Sequence, residues 1–392
     1  ERTPDKGEVA GSNPASPTES GGVHESAAPR CLCHGCRRFR HRCAPTAWQW
    51  RPTTSRRGLA RADGARVPVI VELVGLGAVG RRLLSELLST RSVELVRVRS
   101  RRVDVAAAQV GGLARVEVVG EGRRVDADWM AVTTEAGAQR SALRLAADAG
   151  IPAVSVCDDP DLVTELLEGW AAAVVVGATF SPGLTDVMAV HAAGLLDEVT
   201  ELHVARHLSG SRSCAEARAR ALKREGRDWR DGAWLERAAG SGRELWFFPS
   251  PVDGQDTYRA DLAEVHTLRA AHPEVARLSA RISMNRRERL PVMVGLPPFP
   301  SPQKPAGVGA AVVEARGRQG TSTASVVLGV VDRIEAATAA LAATCGELLV
   351  SGGAERRSCA ITAGQVAPSV SMLKVLARRG VTIARFGQLD VD

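Results

Sequence analysis

Apolar residues first gather into regular runs near residue 67. Val67-Pro68-Val69-Ile70-Val71-Glu72-Leu73-Val74 is β-branched and almost continuously apolar, as a strand buried on both faces of a parallel sheet should be. Behind it, Arg81-Arg82-Leu83-Leu84-Ser85-Glu86-Leu87-Leu88 spaces its leucines for a helix. Strand patterns return at 93–98, 128–134, 152–158 and 171–176, with an amphipathic helix over 141–148. Such alternation predicts an α/β doubly wound parallel sheet. After Gly177 the pattern changes. Strands are predicted at 201–208, 244–248, 308–316 and 321–331, the last two joined by a hairpin-like turn at Gly317-Arg318-Gln319-Gly320. Helices are predicted at 215–225, 336–344 and 369–379, and a final strand at 381–386. Strands adjacent in sequence imply a second α+β domain with a mixed or antiparallel sheet. The expected domains are 67–185, 186–359 and a helix-strand at 360–392 that packs back on the first.

Residues 1–66 show neither helical nor strand periodicity and are rich in Pro, Gly, Ser, Thr and Arg, which predicts a disordered extension. Its Cys31, Cys33, His34, Cys36, His41 and Cys43 are metal-ligand types. They lack two ligand pairs separated by a loop, so no metal site is expected. Gly11-Ser12-Asn13-Pro14 can be encoded by GGT-TCG-AAT-CC, a stretch found in the T-loop of many tRNA genes. Together with a first residue other than Met, this predicts that the extension is translated upstream sequence.

Charge changes the picture only once it is mapped. The chain carries a net charge of +7, but residues 1–66 alone hold twelve Lys/Arg against six Asp/Glu. The remaining 326 or so residues are nearly neutral, which argues against a nucleic-acid partner. No apolar run approaches the ~20 residues that cross a bilayer, so no membrane partner and a cytoplasmic location are expected. Aromatics make up only 4% of the chain, so Ala, Val and Leu must fill the core. Cys157, Cys214, Cys345 and Cys359 show no paired spacing and read as reduced thiols.

Candidate chemistry begins between the first strand and the first helix, at Gly75-Leu76-Gly77-Ala78-Val79-Gly80. In a dinucleotide-binding Rossmann turn, Gly75 permits the tight bend, Gly77 lets a pyrophosphate approach the backbone, and Gly80 brings helix and strand together. The free N–H groups of the helix start then face the phosphates, making Gly75, Gly77, Ala78, Val79 and Gly80 cofactor-binding candidates. About 20 residues on, an NAD enzyme places a carboxylate for the ribose 2′-hydroxyl. This chain has Arg99-Ser100-Arg101-Arg102 there, and guanidinium groups suit a 2′-phosphate, so NADP is expected over NAD. Thr133, at the end of the strand over 128–134, is expected to face the same ligand.

Further blocks carry a family resemblance: Gly177-Ala178-Thr179-Phe180-Ser181-Pro182-Gly183-Leu184-Thr185-Asp186, His203-Val204-Ala205-Arg206-His207 and Trp229-Arg230-Asp231-Gly232. To these are added Gly240-Ser241-Gly242-Arg243-Glu244-Leu245-Trp246 and Tyr258-Arg259-Ala260. With the glycine loop they resemble the saccharopine dehydrogenase-like oxidoreductases, particularly an actinobacterial branch, from about Val67 to the end. The resemblance implies a Rossmann domain, a mixed α/β domain and a substrate cleft between them. It also implies hydride transfer to or from a small C=N or C=O substrate.

Such a reaction needs a proton donor or acceptor near the substrate. Asp158 and Asp159 stand at the end of a predicted parallel strand, at the edge where open α/β sheets bind ligands; Asp158 is a catalytic candidate, and His207 and Tyr258 are the others. Tyr258 has no lysine four residues on, which excludes the Tyr-x-x-x-Lys arrangement. Arg206 and Arg259 are candidates for binding substrate, while Arg243 and Glu244 are expected to pair with each other. Cys157 reads as a core residue. Two other functions fit the same residues: an NADP-binding sensor without turnover, and a non-redox synthase that retains NAD. A homodimer through the sheet of the second domain is expected on fold-level analogy alone.

Overall fold

The computed structural model describes residues 68–208, 212–284, 308–351 and 359–386. The predicted extension at 1–66, with its cysteine and histidine cluster, lies outside them, as does the side chain of Cys214.

In the first part of the chain, strands and helices alternate: β1 (Val69–Val74), α1 (Ala78–Ser89), β2 (Val93–Arg99), α2 (Val103–Val110), β3 (Val116–Val119) and β4 (Trp129–Val132). Then come α3 (Ala136–Asp148), β5 (Ala153–Ser155), α4 (Pro160–Gly169), β6 (Val174–Val176) and α5 (Leu184–Ala193). The second part holds β7 (Glu198–His207), α6 (Arg212–Ala221), the ribbon β8 (Gly226–Arg230) and β9 (Ala233–Arg237), β10 (Glu244–Phe247) and β11 (Gly254–Tyr258). Next are α7 (Ala263–Ala271), β12 (Arg277–Ser283), β13 (Val308–Gln319), β14 (Ser322–Arg333) and α8 (Ile334–Ser351). The chain closes with β15 (Ala360–Thr362), α9 (Ser369–Arg378) and β16 (Ile383–Phe386).

The first sheet is parallel throughout, in the order β15-β6-β5-β4-β1-β2-β3. Strands β4, β5 and β6 are buried at every residue, because helices cover both faces of the sheet. Met130, Val132, Val174 and Val176 meet α3 and α4 on one face. Val71, Leu73, Trp129 and Val175 join the larger core that includes α1 and α8 on the other. There Gly346 of α8 lies so close to Trp129 that a Cβ would come within 2.3 Å of the indole. Beside β1, the connection from β3 to β4 runs as turns, and ion pairs fill the layer that a helix would occupy. Arg99 binds Glu72, and Arg97 binds Glu117 at 2.9 Å and Asp126 at 3.2 Å.

The second sheet is mixed, in the order β10-β11-β12-β7-β13-β14-β16, with β8 and β9 attached to one end of β12. Only β12 and β7 pair in parallel; the remaining neighbours are antiparallel. Both sheets belong to one compact unit. The C-terminal segment serves both: β15 extends the first sheet beside β6, and β16 edges the second beside β14. Between them α9 is capped by Arg379, whose guanidinium reaches Glu86 of α1 at 3.3 Å and Glu347 of α8 at 2.9 Å.

The predicted fold class holds; several boundaries move. The hairpin of β13 and β14 turns at Gly320 and Thr321, so the predicted turn at 317–320 begins three residues early, because Gly317 and Arg318 stay in register with Ala324 and Thr323. Helix α3 begins at Ala136, before the amphipathic stretch that marked it. Among the described residues no helix is long and apolar enough to cross a membrane.

Candidate functional site

At the end of β1 the three glycines differ in what the surrounding protein demands. Gly75 has φ +103°, and a Cβ there would lie 2.9 Å from Thr133 Oγ1. A Cβ on Gly80 would sit 2.1 Å from the carbonyl oxygen of Gly75. A Cβ on Gly77 would meet nothing within 4 Å. Packing therefore explains the first and third glycines but not the second, whose space is open. Gly77 caps α1 without a side-chain bond, and no acidic residue occupies the first turn. The N–H groups at the start of α1 thus keep their positive end of the helix dipole uncompensated by the chain. Gly77 and Ala78 are exposed, Val79 is half-buried and Gly80 is buried. Thr133 Oγ1 donates to the Gly75 carbonyl at 3.0 Å, so Thr133 fastens the loop from below.

The basic stretch after β2 divides in two. Arg99 is buried and consumed internally: it binds Glu72 and donates to the carbonyls of Gly120 at 3.0 Å and Glu121 at 2.7 Å. Contrary to the sequence expectation, Arg99 is therefore not a guanidinium group open to a 2′-phosphate. Ser100 Oγ accepts from Arg102 N and donates to its carbonyl, both at 3.1 Å, closing a tight turn. Arg101 and Arg102 project outward, Arg101 with only Glu121 nearby at 3.9 Å.

Further along the same carboxyl edge, β5 leads into a cleft of about 300 Å³ lined by Asp158, Asp159, Arg206, Arg220, Lys223 and Arg224, among others. Buried Gln139 on α3 ties together the loops after β4 and β5, donating to the carbonyls of Thr134 at 2.8 Å and Val156 at 2.7 Å. Asp159 accepts from Leu162 N at 3.1 Å and caps α4, with Pro160 in the first turn. Asp158 has no such duty. It lies 3.8 Å from Arg206 Nη1, and burial raises its pKa above the usual range, with Arg206 pulling the other way. Arg224 is held by Asp161 at 2.6 Å and Asp261 at 3.1 Å, whereas Arg220 and Lys223 pair with no carboxylate among the described residues.

Arg206, 2% exposed, forms the cleft's inner wall. Its Nη1 donates to the Ser181 carbonyl and to Glu264 Oε1, each at 2.9 Å, and its buried Nε has no partner. Ser181 Oγ donates to the same Glu264 oxygen at 2.6 Å. Next to it, Asp186 accepts from Gly183 N at 3.2 Å and Thr267 Oγ1 at 2.7 Å, and burial pushes its pKa up to about 8. Glu264 and Asp186 were missed as site residues. Ser181 and Asp186 lie in a segment whose pattern stood out; Glu264 has no sequence signal beyond its place in the first turn of α7.

Of the substrate and acid/base candidates, the fold brings Asp158 and Arg206 together. His207, the next residue on β7, points to the opposite face, where its Nδ1 meets Ser283 Oγ at 2.8 Å and its ring lies near Phe248. Tyr258 is 2% exposed and joins the row of Ile282 and Arg206 across β11, β12 and β7. Arg259 is taken up by Asp228 at 3.1 Å and lies over Gly242. Arg243 pairs with Asp256 at 2.9 Å and Glu244 lies 3.6 Å from Arg281, so the expected Arg243–Glu244 pair is not formed. Cys157 is a core residue, its thiol pushed up to about 12 by burial.

No protein-family model matches the chain, and no curated protein matches it. Among solved structures, it is similar to apo histidine-tagged saccharopine dehydrogenase (L-Glu forming) from Saccharomyces cerevisiae. The two are 11% identical with a TM-score of 0.59, over 81% of this chain and 100% of that one. It is also similar to C. glutamicum DAP dehydrogenase in complex with DAP, at 16% identity and a TM-score of 0.45, over 79% of this chain and 96% of that one. What is shared with the yeast enzyme is the fold.

Proposed function

We propose that the protein is an NADP(H)-dependent oxidoreductase that transfers hydride to or from a small C=O or C=N substrate. The observation that carries this reading is the open space at Gly77, between two glycines that packing requires and above an uncapped helix N-terminus. A pyrophosphate fits there for a stated reason: backbone N–H groups and a helix dipole bind it, and only a missing side chain lets it close in. Arg101 and Arg102, both exposed and with Arg101 only loosely paired to Glu121 at 3.9 Å, support NADP over NAD. When bound, the nicotinamide supplies the hydride chemistry. The fold of yeast saccharopine dehydrogenase is consistent with this assignment.

The chain's own part is to hold substrate and manage a proton. Asp158, with a raised pKa at the mouth of the cleft, is the group suited to carry that proton. Arg220 and Lys223, which line the same cleft, favour a substrate with an anionic group.

The test is titration of the full chain with NADPH and with NADH, followed by nicotinamide fluorescence. NADPH should bind at least about tenfold more tightly, and replacing Arg101 and Arg102 with alanine should erase that difference while leaving NADH unchanged. Preference for NADH would overturn the NADP assignment. Binding of neither would sink the oxidoreductase reading altogether.

A further inference from the structure

One guanidinium nitrogen stands between the cleft and the buried interior. Arg206 Nη1 has Glu264 Oε1 and the Ser181 carbonyl at 2.9 Å on its inner side, and Asp158 Oδ2 at 3.8 Å on its outer side. The nearer carboxylate wins the charge-assisted hydrogen bond. Several features fix Glu264 in that place. It is fully buried in the first turn of α7, where the helix dipole favours an anion. Ser181 Oγ donates to the same oxygen. Ser181 in turn is anchored by its neighbours: Phe180 N donates to Thr338 Oγ1 at 2.9 Å, and Thr179 Oγ1 donates to the Pro182 carbonyl at 2.9 Å. The second oxygen, Oε2, is buried without a partner. Among the described residues Glu264 therefore has one cationic contact, Arg206.

The other charged groups around Asp158 do not take over this task. Cys157 and Asp159 flank it in sequence, and Asp159 caps α4. Arg224 is bound by Asp161 and Asp261, while Arg220 and Lys223 line the cleft and make no ion pair with Asp158 among the described residues. Without the charge of Glu264, the carboxylate left within reach of the buried Arg206, among the described residues, would be Asp158.

We infer that Glu264 is a positioning residue: it binds the Arg206 guanidinium on the inner side and so leaves the Asp158 carboxyl at the cleft free to carry a proton. The inference rests on the reading of Asp158 as the proton-handling group. It also gives a role to a fully buried carboxylate with one oxygen unsatisfied, an arrangement that costs stability.

The test uses the full chain with NADPH, its aspartates labelled with carbon-13 and the Asp158 carboxyl assigned by its loss in Asp158→Asn. In Glu264→Gln, which keeps the shape and removes the charge, the Asp158 titration midpoint should fall by about one pH unit or more, as for a carboxylate beside an unpaired guanidinium. The limb of the pH–rate profile that tracks Asp158 should move the same way. Replacing Arg206 as well, in Glu264→Gln/Arg206→Gln, should bring the midpoint back up. If the single Gln variant does not fold, Glu264→Asp, which retracts the charge, should give a smaller fall in the same direction. An unmoved Asp158 midpoint in a folded variant overturns the inference. NADPH affinity, measured on the same samples, reports separately on the functional reading; if it is absent that reading fails, and the carboxyl titration still decides the role of Glu264.

Discussion

The glycine loop is made by six consecutive residues and works through its backbone, whereas the wall of the cleft gathers Asp158, Ser181, Arg206 and Glu264 from four separate places in the chain. In the loop, a helix start and an absent side chain create the binding capacity, and the fold needs only to keep Gly75 and Gly80 in contact with their neighbours. In the cleft, no residue has a function until the others arrive: Arg206 is oriented by Glu264, and Asp158 is set by how completely Arg206 is engaged elsewhere. Local backbone geometry tolerates a change of neighbours. A side-chain charge network does not.

The sharpest break of this comparison is at Arg99, which looks like part of the local cofactor region yet behaves like the network. Arg99→Ala should cost about 3–5 kcal/mol of stability, since it leaves the buried Glu72 carboxylate without its cation. Arg101→Ala should cost almost nothing by the same denaturant melt. Equal effects would mean the division drawn at the end of β2 is wrong.

Within the loop, Gly80→Ala should destabilise by about 1–3 kcal/mol, because its Cβ would collide with the Gly75 carbonyl. Gly77→Ala should leave the melting temperature nearly unchanged and weaken NADPH binding by about tenfold or more. If Gly77→Ala binds NADPH as the unaltered chain does, the open space at Gly77 is not where the cofactor lies.

A smaller effect sharpens the comparison on the network side. Buried Asp186 keeps its proton in the folded chain up to a pH of about 8, whereas the unfolded chain loses it near the ordinary value of 3.8. Between those values the folded state binds more protons, so Asp186 makes stability fall as the pH rises from about 4 to about 8. Asp186→Asn should therefore show a shallower loss of stability from about pH 5 to about pH 8, read from denaturant midpoints across that range. Parallel profiles for the two proteins would show that the carboxyl is ionised in the fold.

Some of what sequence reading overlooked was written there. Asp159-Pro160 is a helix cap followed by a proline in the first turn, and it starts α4, a helix absent from the predicted elements. Helix α5 is different in kind. Leu184, Val187, Met188, Ala189 and Ala192 are buried together with Thr185 and Asp186, so the helix is enclosed nearly all round and has no polar stripe to give it away. The Arg99–Glu72 pair shows the same limit, because both residues sit in strands whose neighbours across the sheet are invisible along the chain.

By itself the sequence determined the parallel sheet, the glycine loop and the step from an alternating to a mixed second half. Those features depend on the period of apolar residues and on the backbone freedom of glycine, which act over a few positions. Only the tertiary structure decided which charged residues are spent inside the fold and which remain for a ligand. Arg99, Arg206 and Arg259 are the same residue type in similarly polar surroundings, and each was a candidate ligand group. Their assignments turn on Glu72, Glu264 and Asp228, carboxylates up to 58 positions away that come within reach only when the sheets and helices pack. A buried guanidinium binds the carboxylate that packing brings nearest, and sequence separation has no bearing on which one that is.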